Sequence, residues 1–102
     1  MARSRVELDR ILRATLGTSN VFFDPPESFK LRYPCIVYKF EGYAQRKADN
    51  KTYVGLKRYG LTYITQDADD SMPDILEELE YCHLNRNYTS DGLFHHAYDI
   101  YF

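Results

Sequence analysis

The residues best suited to metal binding or nucleophilic catalysis in this chain are His83, His95, His96, Cys35 and Cys82. Adjacent side chains on an extended strand leave on opposite faces, so His95 and His96 cannot both ligate one ion unless the strand bulges. Neither an HExxH run nor a paired CxxC accompanies them, the spacings that set several ligands around one ion. Cys82 and His83 are neighbours in sequence, but a Cys–His nucleophile must be arranged in space and held by a third group. The histidines are therefore read as flanking a sheet core or making an interface contact. The cysteines are read as small core hydrophobes, too few for a disulfide framework. Glu77, Glu78 and Glu80 have the spacing of the exposed face of an acidic helix, not of a catalytic pair. The glycines at 17, 42, 55, 60 and 92 form no phosphate-cradling motif. No catalytic residue, metal or cofactor is assigned, and the expectation is a subunit or binding module, not an enzyme.

Charge is the next source of chemistry. Thirteen basic against fifteen acidic residues leave a formal net charge of −2, which argues against a dedicated nucleic-acid binder. The distribution is less even than the sum. Six cations (Lys39, Arg46, Lys47, Lys51, Lys57, Arg58) fall between residues 39 and 58 beside Glu41 and Asp49, whereas residues 67–80 hold seven acids and no base. These segments are either two solvated faces or complements between neighbouring subunits, since opposed potentials fix register and steer docking. On the second reading Lys57 and Arg58 face Asp74, Glu77, Glu78 and Glu80 across an interface. The polar stretch 42–51 is too long for a tight hairpin turn. It is either a mobile hairpin tip or a basic finger (Tyr43, Arg46, Lys47, Lys51) that touches a partner or lines a channel, attracting phosphates without reading sequence.

The elements that must position these groups follow from pattern. Ser4 to Glu7 reads as a capping box, Val6, Leu8, Ile11, Leu12 and Leu16 recur at helical spacing, and Gly17 supplies the stop, which predicts a helix over 4–16. Val21–Phe23 is a brief strand or extended segment before Asp24-Pro25-Pro26. Tyr33-Pro34 sets an extended approach to a strand at 35–41. A strand resumes at 52–57, Gly60 allows a bend or bulge, and 61–66 alternates as another. Asp69-Asp70-Ser71 before Met72-Pro73 starts a second helix, with Ile75, Leu76 and Leu79 as its stripe, ending near Tyr81. Residues 82–92 read as a loop rich in Asn, Asp, Ser and Thr, and 93–102 as the last strand.

The resulting order, α-β-β-β-β-α-β, predicts one α+β domain over 1–102. It is a two-layer sandwich with a mostly antiparallel sheet of four or five strands and two helices on one face. Ten tyrosines, six phenylalanines and no tryptophan supply half-buried strands or contact surface. The absence of an apolar leader or a membrane-length run predicts a soluble protein made in a reducing cytosol.

Several segments carry a resemblance. Leu61-Thr62-Tyr63-Ile64-Thr65 leads into Asp67-Ala68-Asp69-Asp70-Ser71 and a short acidic helix. Asn85-Arg86-Asn87-Tyr88-Thr89-Ser90-Asp91-Gly92-Leu93-Phe94-His95-His96 then precedes an aromatic strand, and Tyr33-Pro34-Cys35-Ile36-Val37-Tyr38 fits an earlier strand. This succession resembles the tail terminator (tail completion or minor capsid) proteins of long-tailed bacteriophages. The resemblance implies a homo-oligomeric ring, typically six-fold, that caps the tail tube, ends its polymerisation and docks the head-side connector or stopper protein. DNA would cross its lumen during ejection, and the chain would reside in the virion tail or neck after synthesis in the bacterial cytoplasm. The family has no catalytic residues to carry over. The alternatives are another neck component, such as a head-closure or connector protein, and a small nucleic-acid or partner-binding adaptor.

Overall fold

The structure is a computed structural model that describes residues 3–44 and 55–102. Its elements run α1 (Arg5–Leu16), β1 (Val21–Phe23), β2 (Cys35–Tyr43), β3 (Lys57–Thr65), α2 (Met72–Glu77), β4 (Cys82–Ser90) and β5 (Leu93–Tyr101). The strands form one sheet in the order β1-β2-β3-β5-β4, parallel between β1 and β2 and antiparallel elsewhere. Both helices lie on one face of it, so the fold is the α+β sandwich expected.

α1 begins where its cap chemistry places it. The Ser4 side chain accepts from the Glu7 amide, and Gly17 at φ 81° closes the helix by donating to the Arg13 carbonyl. Leu8 and Leu12 are fully buried on the sheet, whereas Val6, assigned to the same stripe from spacing, is 56% exposed. α2 is shorter than expected: it ends at Glu77, so Glu78 and Glu80 belong to the turn that follows. Its N-cap residue Ser71 makes no side-chain cap bond. Asp70 accepts from the Met72 amide instead.

Two other expectations are corrected. Residues 82–92 are not a loop but strand β4 and a two-residue turn, Asp91-Gly92, both at positive φ (54° and 73°). An Asp-Gly pair is the hairpin signal for that geometry. β4 escaped a hydrophobicity reading because it is an edge strand, exposed at every position after Cys82. Gly60 neither bends nor bulges β3, whose pairing with β5 runs unbroken from Arg58 to Thr65. In the β2–β3 pairing the bulge is in β2, between Phe40 and Gly42. Glu41 lies across Gly60, in space that a Cβ would occupy. Of the strand expected at 52–57, residues 52–54 lie outside the described part and Lys57 opens β3.

The core is unusually phenolic. Tyr38, Tyr59, Tyr63 and Tyr98 project from three adjacent strands toward the helices and are all at least 98% buried. Three of the hydroxyls tie the sheet to the helical layer. Tyr38 donates to Asp9 on α1 (2.5 Å), Tyr63 donates to Asp70 ahead of α2 (2.5 Å), and Tyr98 donates to the Pro73 carbonyl within α2 (3.0 Å). Burial works to raise both carboxyl pKa values, but the bonds they accept outweigh it and hold both below the ordinary 3.8. Asp9 accepts from Tyr38 and Arg13 and sits near Arg5, while Asp70 accepts from Tyr63, the Met72 amide and Thr65.

A hydrogen bond to a charged group contributes about 1.5–3 kcal/mol net, so Tyr63→Phe should lower unfolding free energy by about that much in urea titration. Depressed carboxyl pKa values add stability that is complete above the unfolded value and lost as pH falls through the folded one. Unfolding free energy should therefore drop as pH falls below 3.8, and Asp70→Asn should flatten that slope in urea titrations at successive pH values.

Candidate functional site

The structure separates the residues picked out for chemistry. Cys82 points into the core and is 2% exposed, while His83, next along the strand, is exposed. Cys35 is fully buried. Burial pushes the Cys35 thiol up to about 11 and, with Glu77 and Asp99 adding to it, the Cys82 thiol up to about 12. Both are therefore thiols, not thiolates, at neutral pH. His95 and His96 take opposite faces as alternation requires. His95 stacks on Tyr88 on the face away from the helices (centroids 4.6 Å). His96 lies against Tyr63 on the helix face, with Nδ1 2.9 Å from Asn87 Oδ1. Burial lowers the His96 pKa below its ordinary 6.5 although the Asp70 carboxylate pulls the other way. Among the described residues, no group of three or more His, Cys, Asp or Glu side chains is placed to hold a metal ion. No described helix is long and apolar enough to cross a membrane.

What the fold does present is surface, in three regions. The first is the sheet face opposite the helices. Arg58 reaches Asp99 there (4.0 Å) and donates to the Glu41 carbonyl, and Asn85 also donates to Asp99. Along β4 the Arg86 guanidinium covers the Tyr88 ring, 4.8 Å from its centroid. A shallow trough of about 550 Å³ runs over Lys39, Glu41, Gly60, Thr62, Arg86 and Asp99. Beside it a smaller apolar hollow of about 330 Å³ is walled by Pro26, Phe29, Val37, Ile64 and Tyr88. This face is polar and paired on one side, apolar on the other.

The second region is the end of the β2–β3 hairpin, closed at its base where the Ala44 amide donates to the Leu56 carbonyl. Arg46, Lys47 and Lys51 lie outside the described residues. Tyr43, at the last position of β2, is 61% exposed and stacks edge-on against Phe40, itself 45% exposed. Phe40 continues to Tyr59, Tyr59 to Tyr38 and Tyr38 to Phe23, with the Arg5 guanidinium over Phe23 at 4.6 Å. Arg5, Phe23, Phe40, Tyr43, Lys57 and Tyr59 line a shallow, open hollow of about 260 Å³ beside the first turn of α1. Lys57 and Arg58, paired as one basic site in the sequence reading, part company here. Lys57 turns to the helix face, where Nζ donates to the Arg3 carbonyl, and Arg58 turns to the open face.

The third region is α2 and the turn after it. Asp74, Glu77, Glu78 and Glu80 are all exposed, and among the described residues none forms a salt bridge. Glu77 bends toward the sheet edge and accepts from the Leu84 amide (3.1 Å), while Asp74 and Glu78 flank Ile75, which is 42% exposed. Spacing had put Ile75 in the buried stripe. Leu76 alone is fully buried there, because a helix of six residues offers the sheet only one turn.

Chemical reactivity checks the assignment of the thiols. Neither cysteine should react with a thiol reagent such as dithionitrobenzoate at pH 8 in the native protein, and both should react in 6 M guanidinium (about the strength that unfolds most domains). Rapid native labelling of Cys82 would show it open to solvent and restore it as a nucleophile candidate.

Searched against known protein families, curated proteins and solved structures, the chain matches none of them.

Proposed function

We propose that this chain is a structural virion subunit that caps a phage tail tube as an oligomeric ring and docks the head-side connector or stopper protein. The observation that carries the reading is the separation of unlike surfaces on one small subunit. The helical layer bears an aromatic hollow rimmed by Arg5 and Lys57 over β1, β2 and β3. At the other flank, over β4 and β5, stands an acidic helix whose carboxylates form no salt bridge with a described lysine or arginine. A ring is built from heterologous contacts, in which one patch of a subunit meets a different patch of the next. Opposed charge on the two flanks favours that arrangement and disfavours a two-fold dimer of like patches.

The rest of the surface suits the other contacts of such a subunit. The sheet face opposite the helices is available to a tube protein or a connector. Arg46, Lys47 and Lys51 fall in the sequence between Ala44 and Leu56, and cations in a ring lumen would attract passing DNA through its phosphates without base readout. The sequence resemblance described above points the same way. No step in this reading needs a cofactor or a catalytic residue.

Sedimentation velocity and negative-stain imaging, with and without isolated tail tubes, test the proposal. Rings or capped tube ends are expected. A chain that stays monomeric and never binds tube ends would overturn it, and salt-dependent DNA binding by that monomer would favour the adaptor reading. Reversing Arg46, Lys47 and Lys51 to Glu should leave the circular dichroism spectrum unchanged while disturbing assembly or DNA passage. Unchanged phage yield from the triple variant would remove the loop from the mechanism.

A further inference from the structure

Among the exposed apolar side chains on the helix side of the fold, which also include Val6 and Leu84, two sites of unlike character stand at opposite flanks. The hollow beside α1 is shallow, open and aromatic, lined by Phe23, Phe40, Tyr43 and Tyr59 together with the cations Arg5 and Lys57. Its walls are unusually bare for rings of that size: Phe23 is 40% and Phe40 45% exposed. The outer side of α2 is convex, a single Ile75 standing between the carboxylates of Asp74 and Glu78. An aliphatic knob with an acidic rim and an aromatic socket with a basic rim are complementary in shape, polarity and charge.

They cannot meet within one chain. The socket is built on β1, β2, β3 and the first turn of α1, whereas α2 packs on β4 and takes its bond from Tyr98 of β5. α1 lies between them, touching α2 on one side and carrying Arg5 into the socket on the other.

From this we infer that the occupant of the socket is α2 of a second copy of this chain, with Ile75 seated among Phe23, Phe40 and Tyr43. Asp74 and Glu78 then face Arg5 and Lys57. This rests on the ring reading above and names the interface that would build the ring. Each copy offers one knob and one socket, so the contact is heterologous and propagates until a ring closes. The energy comes from burying Ile75 and the aromatic walls, and the rim charges set orientation and on-rate.

Mixing two variants tests it. Ile75→Asp removes the knob and keeps the socket, whereas Phe40→Asp spoils the socket and keeps the knob. Tyr43→Asp stands in for Phe40→Asp if circular dichroism shows that the latter does not fold. Each variant alone should sediment as a monomer where the unaltered chain forms oligomers, its self-association weakened at least about tenfold, the effect of losing about 1.4 kcal/mol at an interface anchor. An equimolar mixture should form a heterodimer and stop there, because it holds one intact knob–socket pair and no second. If the variants assemble as the unaltered chain does, the interface is wrong while the ring reading stands. If both variants are monomeric and their mixture stays monomeric, the knob and socket do not meet and the inference also fails. If the unaltered chain never self-associates, with or without tail tubes, and never binds tube ends, this inference and the ring reading fall together.

Discussion

A tyrosine ring buried in a sheet brings its hydroxyl along, and an unsatisfied hydroxyl in a dry core costs more than most single contacts contribute. Three times in this fold that constraint is met from the helical layer: by Asp9, by Asp70 and by the Pro73 carbonyl. The arrangement does two jobs at once. It satisfies the phenols, and it sets where each helix lies on the sheet, which apolar packing of leucines alone specifies only loosely. Asp9 is itself held between Arg5 and Arg13, and Arg13 donates on to the carbonyls of Ser19 and Val21, so the same network leads the chain from α1 into β1. Burial raises the phenol pKa values, that of Tyr38 to about 12, so the groups remain donors throughout the neutral range.

Placement of the helices then decides what is left outside. α1 covers β1 and β2 only in part, and its first turn exposes Phe23, Phe40 and Tyr43 beyond it. α2 is a short helix with one buried residue, Leu76, held at its start by the Tyr98–Pro73 bond and at its end by the Glu77–Leu84 bond, so Ile75 and its flanking acids face outward. The unlike flanks on which the proposed ring rests are thus a consequence of how the phenols are satisfied. Charge alone would not have produced them. Lys57 and Arg58 are adjacent in sequence yet serve opposite faces of the sheet, and Arg58 already has Asp99.

Much of the fold was legible because its signals are local. Ser4 and Gly17 bound α1 through backbone groups within one turn, Cys35 to Phe40 alternates as a strand must, and Met72-Pro73 after two aspartates starts a helix wherever it lies in a protein. β4 does not show in the pattern because alternation of apolar and polar residues reports burial, and this edge strand is exposed at every position after Cys82. Gly60 suggests a bend or bulge from sequence because the sequence does not say which residue of the neighbouring strand lies across it. The extra residue is Glu41, on the partner strand.

The residues alone settled the α+β class, the abundance of tyrosine, the separation of basic and acidic segments, and the divergence of His95 from His96, since each depends on composition or on the period of a single element. Only the tertiary structure decided that Cys82 is buried while His83 is not, that Lys57 and Arg58 part, that Ile75 is exposed, and that Phe23, Phe40 and Tyr43 gather into one hollow. Those outcomes depend on which strands are neighbours and where the helices stop, and these are set by contacts between residues far apart in the chain.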